Sequence, residues 1–191
     1  MESTVIHNAT QLVYPDAISK EKISFLINVK GIAPEVAEID FEMLKQKLQD
    51  EDEGMAWTAE QAESAEIEYK RYLNLCMKYG KGIVPNKIMD QTWHYHILDT
   101  RAYHKDCDKL FGGYMHHYPY FGMRGEQDAE DLKNSFEKTK DLYLELFDEE
   151  MARDEHNKCW HDCENRCWNA CPSKEIIETS KKSLSLTLYM T

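Results

Sequence analysis

Two groups of metal-competent side chains stand out in this chain of 191 residues. His94, His96, His104, His116 and His117, five of the eight histidines, crowd into one short stretch beside Asp90, Asp99, Asp106 and Cys107. Neutral imidazole is the commonest protein ligand for zinc and its first-row neighbours, and a helix followed by a loop brings ligands to one ion from two backbone directions. The pairing to expect is His96 with His117, with His94 as the alternative ligand. Two readings need no metal. His96 can be a buried, hydrogen-bonded histidine, and His94 can pair with Asp90 one helical turn earlier. A catalytic reading would make Asp90 the orienting partner of a His94 base, or Cys107 a nucleophile. Cys76 and Cys107 both lie on apolar stripes, however, where a free thiol acts as a small hydrophobe.

The second group is Cys159, Cys163, Cys167 and Cys171, one cysteine every four residues up to Pro172. On a straight helix such a repeat drifts by about 40° per step and forms a stripe about 18 Å long. One tetrahedral zinc, with Zn–S bonds of about 2.3 Å, cannot span it, so the segment must bend, bind more than one ion or share ligands with another element. His156 and His161 are at hand to supplement the thiolates. Three readings remain open: soft-metal binding, with zinc or copper(I); a substrate for a modifying enzyme, since Trp160 and Trp168 beside the cysteines resemble the core regions of ribosomally made, enzymatically modified peptides; and disulfides, which a reducing compartment disfavours.

The elements that must position these residues read as helices. Ile23, Leu26 and Ile27 mark a helix within 16–29, and Pro34 opens a second segment through Val36, Phe41, Leu44 and Leu48. Thr58, with Gln61 three residues on, caps a third helix that runs to Gly80 along Ala62, Ala65, Tyr69, Tyr72, Leu73 and Cys76. A fourth is expected over 86–111, stopped by Gly112-Gly113, with Met89, Trp93, His96, Tyr103, Cys107 and Phe111 on one face. On that helix His94 and His96 diverge by about 160° and cannot chelate one ion together. The aromatic stretch from His116 to Gly122 reads as an ordered loop packed on the domain. A last helix covers 128–151 through Leu132, Phe136, Tyr143 and Phe147.

The run from Phe41 to Gly125 resembles the short bacterial members of the glycine-rich domain-containing protein-like family. The resemblance rests on Glu68-Tyr69-Lys70-Arg71-Tyr72-Leu73, on Ile83-Val84-Pro85 and above all on Asp90-Gln91-Thr92-Trp93-His94-Tyr95-His96-Ile97-Leu98. It continues through Tyr103, Asp106-Cys107, Phe111-Gly112 and His116 to Gly122. The glycine-rich region that names the family has no counterpart in this chain. The resemblance implies a shared fold unit and residue set and leaves the chemistry open.

Composition sets the outer bounds. With 35 acidic and 23 basic side chains the formal charge is -12, which repels nucleic acid and anionic membrane surfaces. No apolar run approaches the roughly 20 residues that span a bilayer, and the first residues lack the layout of a signal peptide. A soluble, cytoplasmic protein is therefore expected. The expected architecture is all-α: a compact bundle of four to five helices over 16–152, a Cys-rich segment over 153–173 and a tail over 174–191. The expected function is metal binding through His94, His96, His117, Cys159, Cys163, Cys167 and Cys171, with zinc or copper(I). The rivals are a folded precursor whose tail a partner enzyme modifies and a metal-dependent enzyme built on the histidines. A modifying or metal-delivery protein is the expected partner.

Overall fold

The computed structural model describes residues 16–151. The four tail cysteines, His156, His161 and the break expected near Arg153 lie outside the described residues. Within them the protein is all-α, with helices α1 (Lys20–Asn28), α2 (Pro34–Ala37), α3 (Glu42–Gln49), α4 (Ala59–Tyr79), α5 (Lys87–Leu98), α6 (Thr100–Phe111) and α7 (Glu126–Phe147).

Helix α4 is the axis on which the others pack, and α2, α3, α5 and α7 all touch it. Thr58 and Gln61 close a reciprocal capping box at its start, which satisfies backbone N–H groups that a bare helix end leaves open. Gly80 takes φ +75° at its end, a conformation that favours glycine. One side of α4 buries Ala62 and Ala65 and carries Tyr69, Tyr72 and Leu73 into a core shared with Leu26, Ile32, Phe41, Met89 and Tyr103.

The same helix buries charge, and each buried charge has partners. Glu66 and Lys70 are wholly inaccessible side chains joined at 3.0 Å. Glu66 also meets Lys22 at 2.6 Å and Lys45 at 3.3 Å. Lys70 Nζ donates to the carbonyls of Ala37 and Ile39 at 2.9 and 2.8 Å, tying the end of α2 to α4. Arg71 donates to Tyr143 at 2.7 Å and to Glu149 at 2.8 Å, and Tyr143 donates in turn to Glu68 at 2.7 Å. This chain of bonds locks α7 against α4. Burial pushes the Glu68 carboxyl above its usual range.

Two expected helices are interrupted. Between α2 and α3 the Asp40 carboxylate accepts from the backbone N–H groups of Glu42 and Ile18 at 3.0 and 3.2 Å, so it starts α3 and anchors the segment before α1. The single helix expected over 86–111 breaks at Asp99, where ψ is 74° and the side chain accepts from Ala102 N at 3.1 Å. Asp favours such caps over helix interiors. The result is a helical hairpin. On an unbroken helix residues 93 and 103 would stand about 15 Å apart, whereas here Trp93 Nε1 donates to Tyr103 Oη at 2.8 Å. Because α5 packs on α4 and α3 while α6 packs on α2, all around one core, the apolar stripe of the sequence runs unbroken across the bend.

Candidate metal centre

Asn86 caps α5, its side chain accepting from Met89 N at 2.9 Å. One turn further on, Asp90 and His94 stand four residues apart and project from one face of the helix. Trp93, beside His94, is 6% exposed, its ring 5.3 Å from that of Tyr72 and 4.4 Å from that of His117. His117 arrives from the loop after α6, as the order of elements led one to expect.

That loop is held at both ends. Tyr103 Oη donates to the carbonyl of Met115, two residues before His117. Downstream, Asp128 accepts from the backbone N–H groups of Gly122 and Arg124 at 2.7 and 3.1 Å and from the Arg124 guanidinium at 2.6 Å. These donors, the guanidinium foremost, lower the Asp128 carboxyl to about 2. Gly122 has φ +90°, and a Cβ there would stand 2.6 Å from Leu132 Cδ2, so only glycine permits this crossing of loop and α7.

The outcome is a tight group: one ligand atom each from Asp90, His94 and His117, all within 4.8 Å of one another. His94 Nε2 and His117 Nε2 are 3.1 Å apart, His117 Nε2 and Asp90 Oδ1 are 3.0 Å apart, and His94 Nε2 and Asp90 Oδ2 are 3.8 Å apart. A tetrahedral zinc with metal–ligand bonds of about 2.0–2.1 Å would hold its ligand atoms about 3.3–3.4 Å from each other, in the middle of this range. Hydrogen bonds satisfy the group in part. His117 Nε2 carries either a proton or a lone pair. With a proton it donates to Asp90 and leaves the adjacent His94 nitrogen to solvent; with a lone pair it can accept from His94 and faces the carboxylate unbonded. A cation among the three lone pairs satisfies all of them.

The group opens on a cleft of about 820 Å³ bounded by the end of α4, the segment 80–85, α5, the loop after α6 and Leu132 of α7. His94 is the solvent-facing member, its side chain 51% exposed against 10% for Asp90 and 16% for His117.

His96 is not part of this group. It faces the opposite side of α5, 3% exposed, with Nδ1 at 3.0 Å from Tyr69 Oη and Nε2 at 3.2 Å from Asp106. Both ring nitrogens are taken, and the Phe41 and Tyr103 rings pack on it edge-on, each at 4.9 Å. The expected meeting of His96 with His117, with His94 as the alternative, is thereby corrected: the 160° divergence places His94 beside His117 and His96 in the core. His104 pairs with Asp108 at 3.0 Å, and His116 rests on the Tyr114 ring at 4.9 Å. The thiol reading for α4 and α6 holds. Burial pushes the Cys76 thiol up to about 12, and burial raises Cys107 as well.

Asp90 is the member of the group that reading by residue type passed over as a candidate ligand. The spacing Asp-x-x-x-His places two ligands on one helical face, in the manner of the two histidines of HExxH, and that was the available signal.

A model of the UCP032817-like family matches residues 36–158, well over half of the chain. The chain belongs to the UCP032817-like family. Its description names no ligand or activity. The match takes in α3 to α7, and so every residue of the Asp90, His94 and His117 group lies in the part of the fold that the UCP032817-like family shares. No curated protein and no solved structure matches the chain. Among the described residues no helix is long and apolar enough to cross a membrane.

Proposed function

We propose that this protein binds one divalent first-row metal ion through Asp90, His94 and His117 and presents it to the cleft. The observation that carries the reading is the convergence of three ligand atoms, from one helix turn and one pinned loop, at tetrahedral-edge distances. Two imidazoles and a carboxylate suit zinc or iron(II). Copper(I) prefers soft sulfur ligands and belongs, if anywhere, with Cys159, Cys163, Cys167 and Cys171, which we propose as a separate thiolate site. The resemblance over 41–125 lies inside the family match, and we take kinship with the glycine-rich domain-containing protein-like family as part of the proposal.

A second reading, a metal-dependent enzyme, is favoured by one specific feature. A site of three protein ligands would leave a coordination position for water or substrate, as catalytic zinc sites do and structural ones do not, and here all three side chains line a cleft.

The test uses full-length chain, purified under reducing conditions, with the four tail cysteines replaced by serine. It should take up one equivalent of zinc, and His117→Ala should weaken zinc affinity by at least about 100-fold while leaving helicity intact. Equal affinity in the parent and in His94→Ala and His117→Ala chains would exclude this site.

A further inference from the structure

The cleft is larger than an ion and its water need. At about 820 Å³ it falls in the upper part of the range for small-molecule sites, about 300–1,000 Å³. Its walls are mostly apolar, with Tyr72, Trp93, Val84, Pro85, Phe121 and Leu132 among the lining side chains. Val84 and Leu132 are themselves largely buried, at 5% and 9% exposure, and Val84 N donates to Thr139 Oγ1 at 2.9 Å, so these walls belong to the packed domain.

Charge is sparse. Among the residues lining the cleft Asp90 is the one carboxylate and Lys81 the one lysine or arginine. With a divalent ion at Asp90, that carboxylate cancels half of the ion's charge, and His94 and His117 bind as neutral imidazoles. The metal group is then left with one net positive charge beside apolar walls, in a protein whose overall charge is -12. An anionic head completing the coordination sphere would neutralise it, and a charge-assisted contact of that kind is stronger than one to a neutral head.

Resting on the metal reading, we infer that the cleft takes a small monocarboxylate with an aryl or short acyl body, its carboxylate on the ion and its body against the apolar walls.

The test is calorimetry on full-length chain carrying the four tail Cys→Ser changes, with zinc content measured on the same samples. The probes are acetate, 4-phenylbutanoate and 4-phenylbutan-1-ol. Zinc-loaded protein should bind 4-phenylbutanoate at least about thirtyfold more tightly than acetate, through burial of the phenylalkyl body, and at least about tenfold more tightly than the alcohol, which lacks the anionic head. Removing zinc should abolish the preference for the acid over the alcohol. Phe121→Ser should narrow the ratio of phenylbutanoate to acetate affinity while zinc content stays at one equivalent. Zinc-loaded protein that binds acetate and 4-phenylbutanoate equally, or the acid and the alcohol equally, overturns the ligand class and leaves the metal site standing. Protein that takes up no zinc overturns the metal reading and this inference with it.

Discussion

Replacing Tyr103 by Phe should show how the hairpin of α5 and α6 aims the loop that carries His117. The Tyr103 hydroxyl is fully buried and does two things at once: it accepts from Trp93 Nε1 at 2.8 Å and donates to the Met115 carbonyl. Phe keeps the ring and its edge-on contact with His96 at 4.9 Å, so the change isolates the hydroxyl. It leaves one indole N–H without its acceptor and one carbonyl without its donor. A buried polar group stripped of its partner costs about 1–3 kcal/mol, and the carbonyl, being only partly buried, regains water. A net loss of about 2 kcal/mol follows, equivalent to a fall of about 4–8 °C in Tm for a domain of this size. Thermal melting followed by circular dichroism measures it. A cycle with Trp93→Phe should give a coupling energy of about 1 kcal/mol between the two side chains. Zinc affinity should fall too, since Met115 lies two residues from His117. An unchanged Tm and zero coupling would mean that α6 does not fold back along α5 as described.

Three further outcomes follow from the buried and perturbed groups. Lys70→Met should cost about 3 kcal/mol, because it leaves Glu66 to Lys22 and Lys45 alone and strips two carbonyls of their donor; urea melts would reveal it, and a neutral result would show that Lys70 is dispensable. Cys76, its thiol pushed up to about 12, should react with iodoacetamide at pH 8 about a thousandfold more slowly in folded than in unfolded protein, read by peptide mass mapping so that the tail cysteines do not intrude. Asp128, lowered to about 2, stabilises the folded loop above the ordinary carboxyl range near pH 3.9 and loses that contribution as pH falls toward 2. The Tm gap between parent and Asp128→Asn should therefore be constant at pH 5–7 and close below pH 4, and a gap that persists at pH 2 would contradict the assignment.

Helix type was readable wherever a cap and a stripe agreed. Thr58, Gln61 and Gly80 mark both ends of α4, and Gly112 marks the end of α6. The break at Asp99 was hidden because Trp93, His96, Tyr103 and Cys107 keep helical phase across it; the apolar period records which residues face inward, and both arms of the hairpin face the same core. Asp99 itself, a residue that prefers caps, was the available sign. Likewise Asp40 divides α2 from α3 by offering its carboxylate to two backbone N–H groups, which no spacing pattern discloses. In the site, helical geometry correctly separated His94 from His96, and the Pro-bearing loop correctly supplied His117. Choosing between His94 and His96 required knowing where Tyr69 and Asp106 lie, since they occupy both nitrogens of His96. Buried charge on α4 was the least legible feature. Glu66, Lys70 and Arg71 look like solvated helix residues until Lys22, Lys45, Tyr143 and two backbone carbonyls are brought to them from segments far away in sequence.

Whether Asp90, His94 and His117 hold a metal is decided by diffraction from zinc-soaked crystals, with anomalous maps recorded on either side of the zinc absorption edge. One zinc peak is expected in the cleft, about 2.0–2.2 Å from Asp90, His94 and His117, with a water or anion at the fourth position. An empty site in which His94 and His117 still face each other at hydrogen-bond distance, or zinc bound only elsewhere, would contradict it.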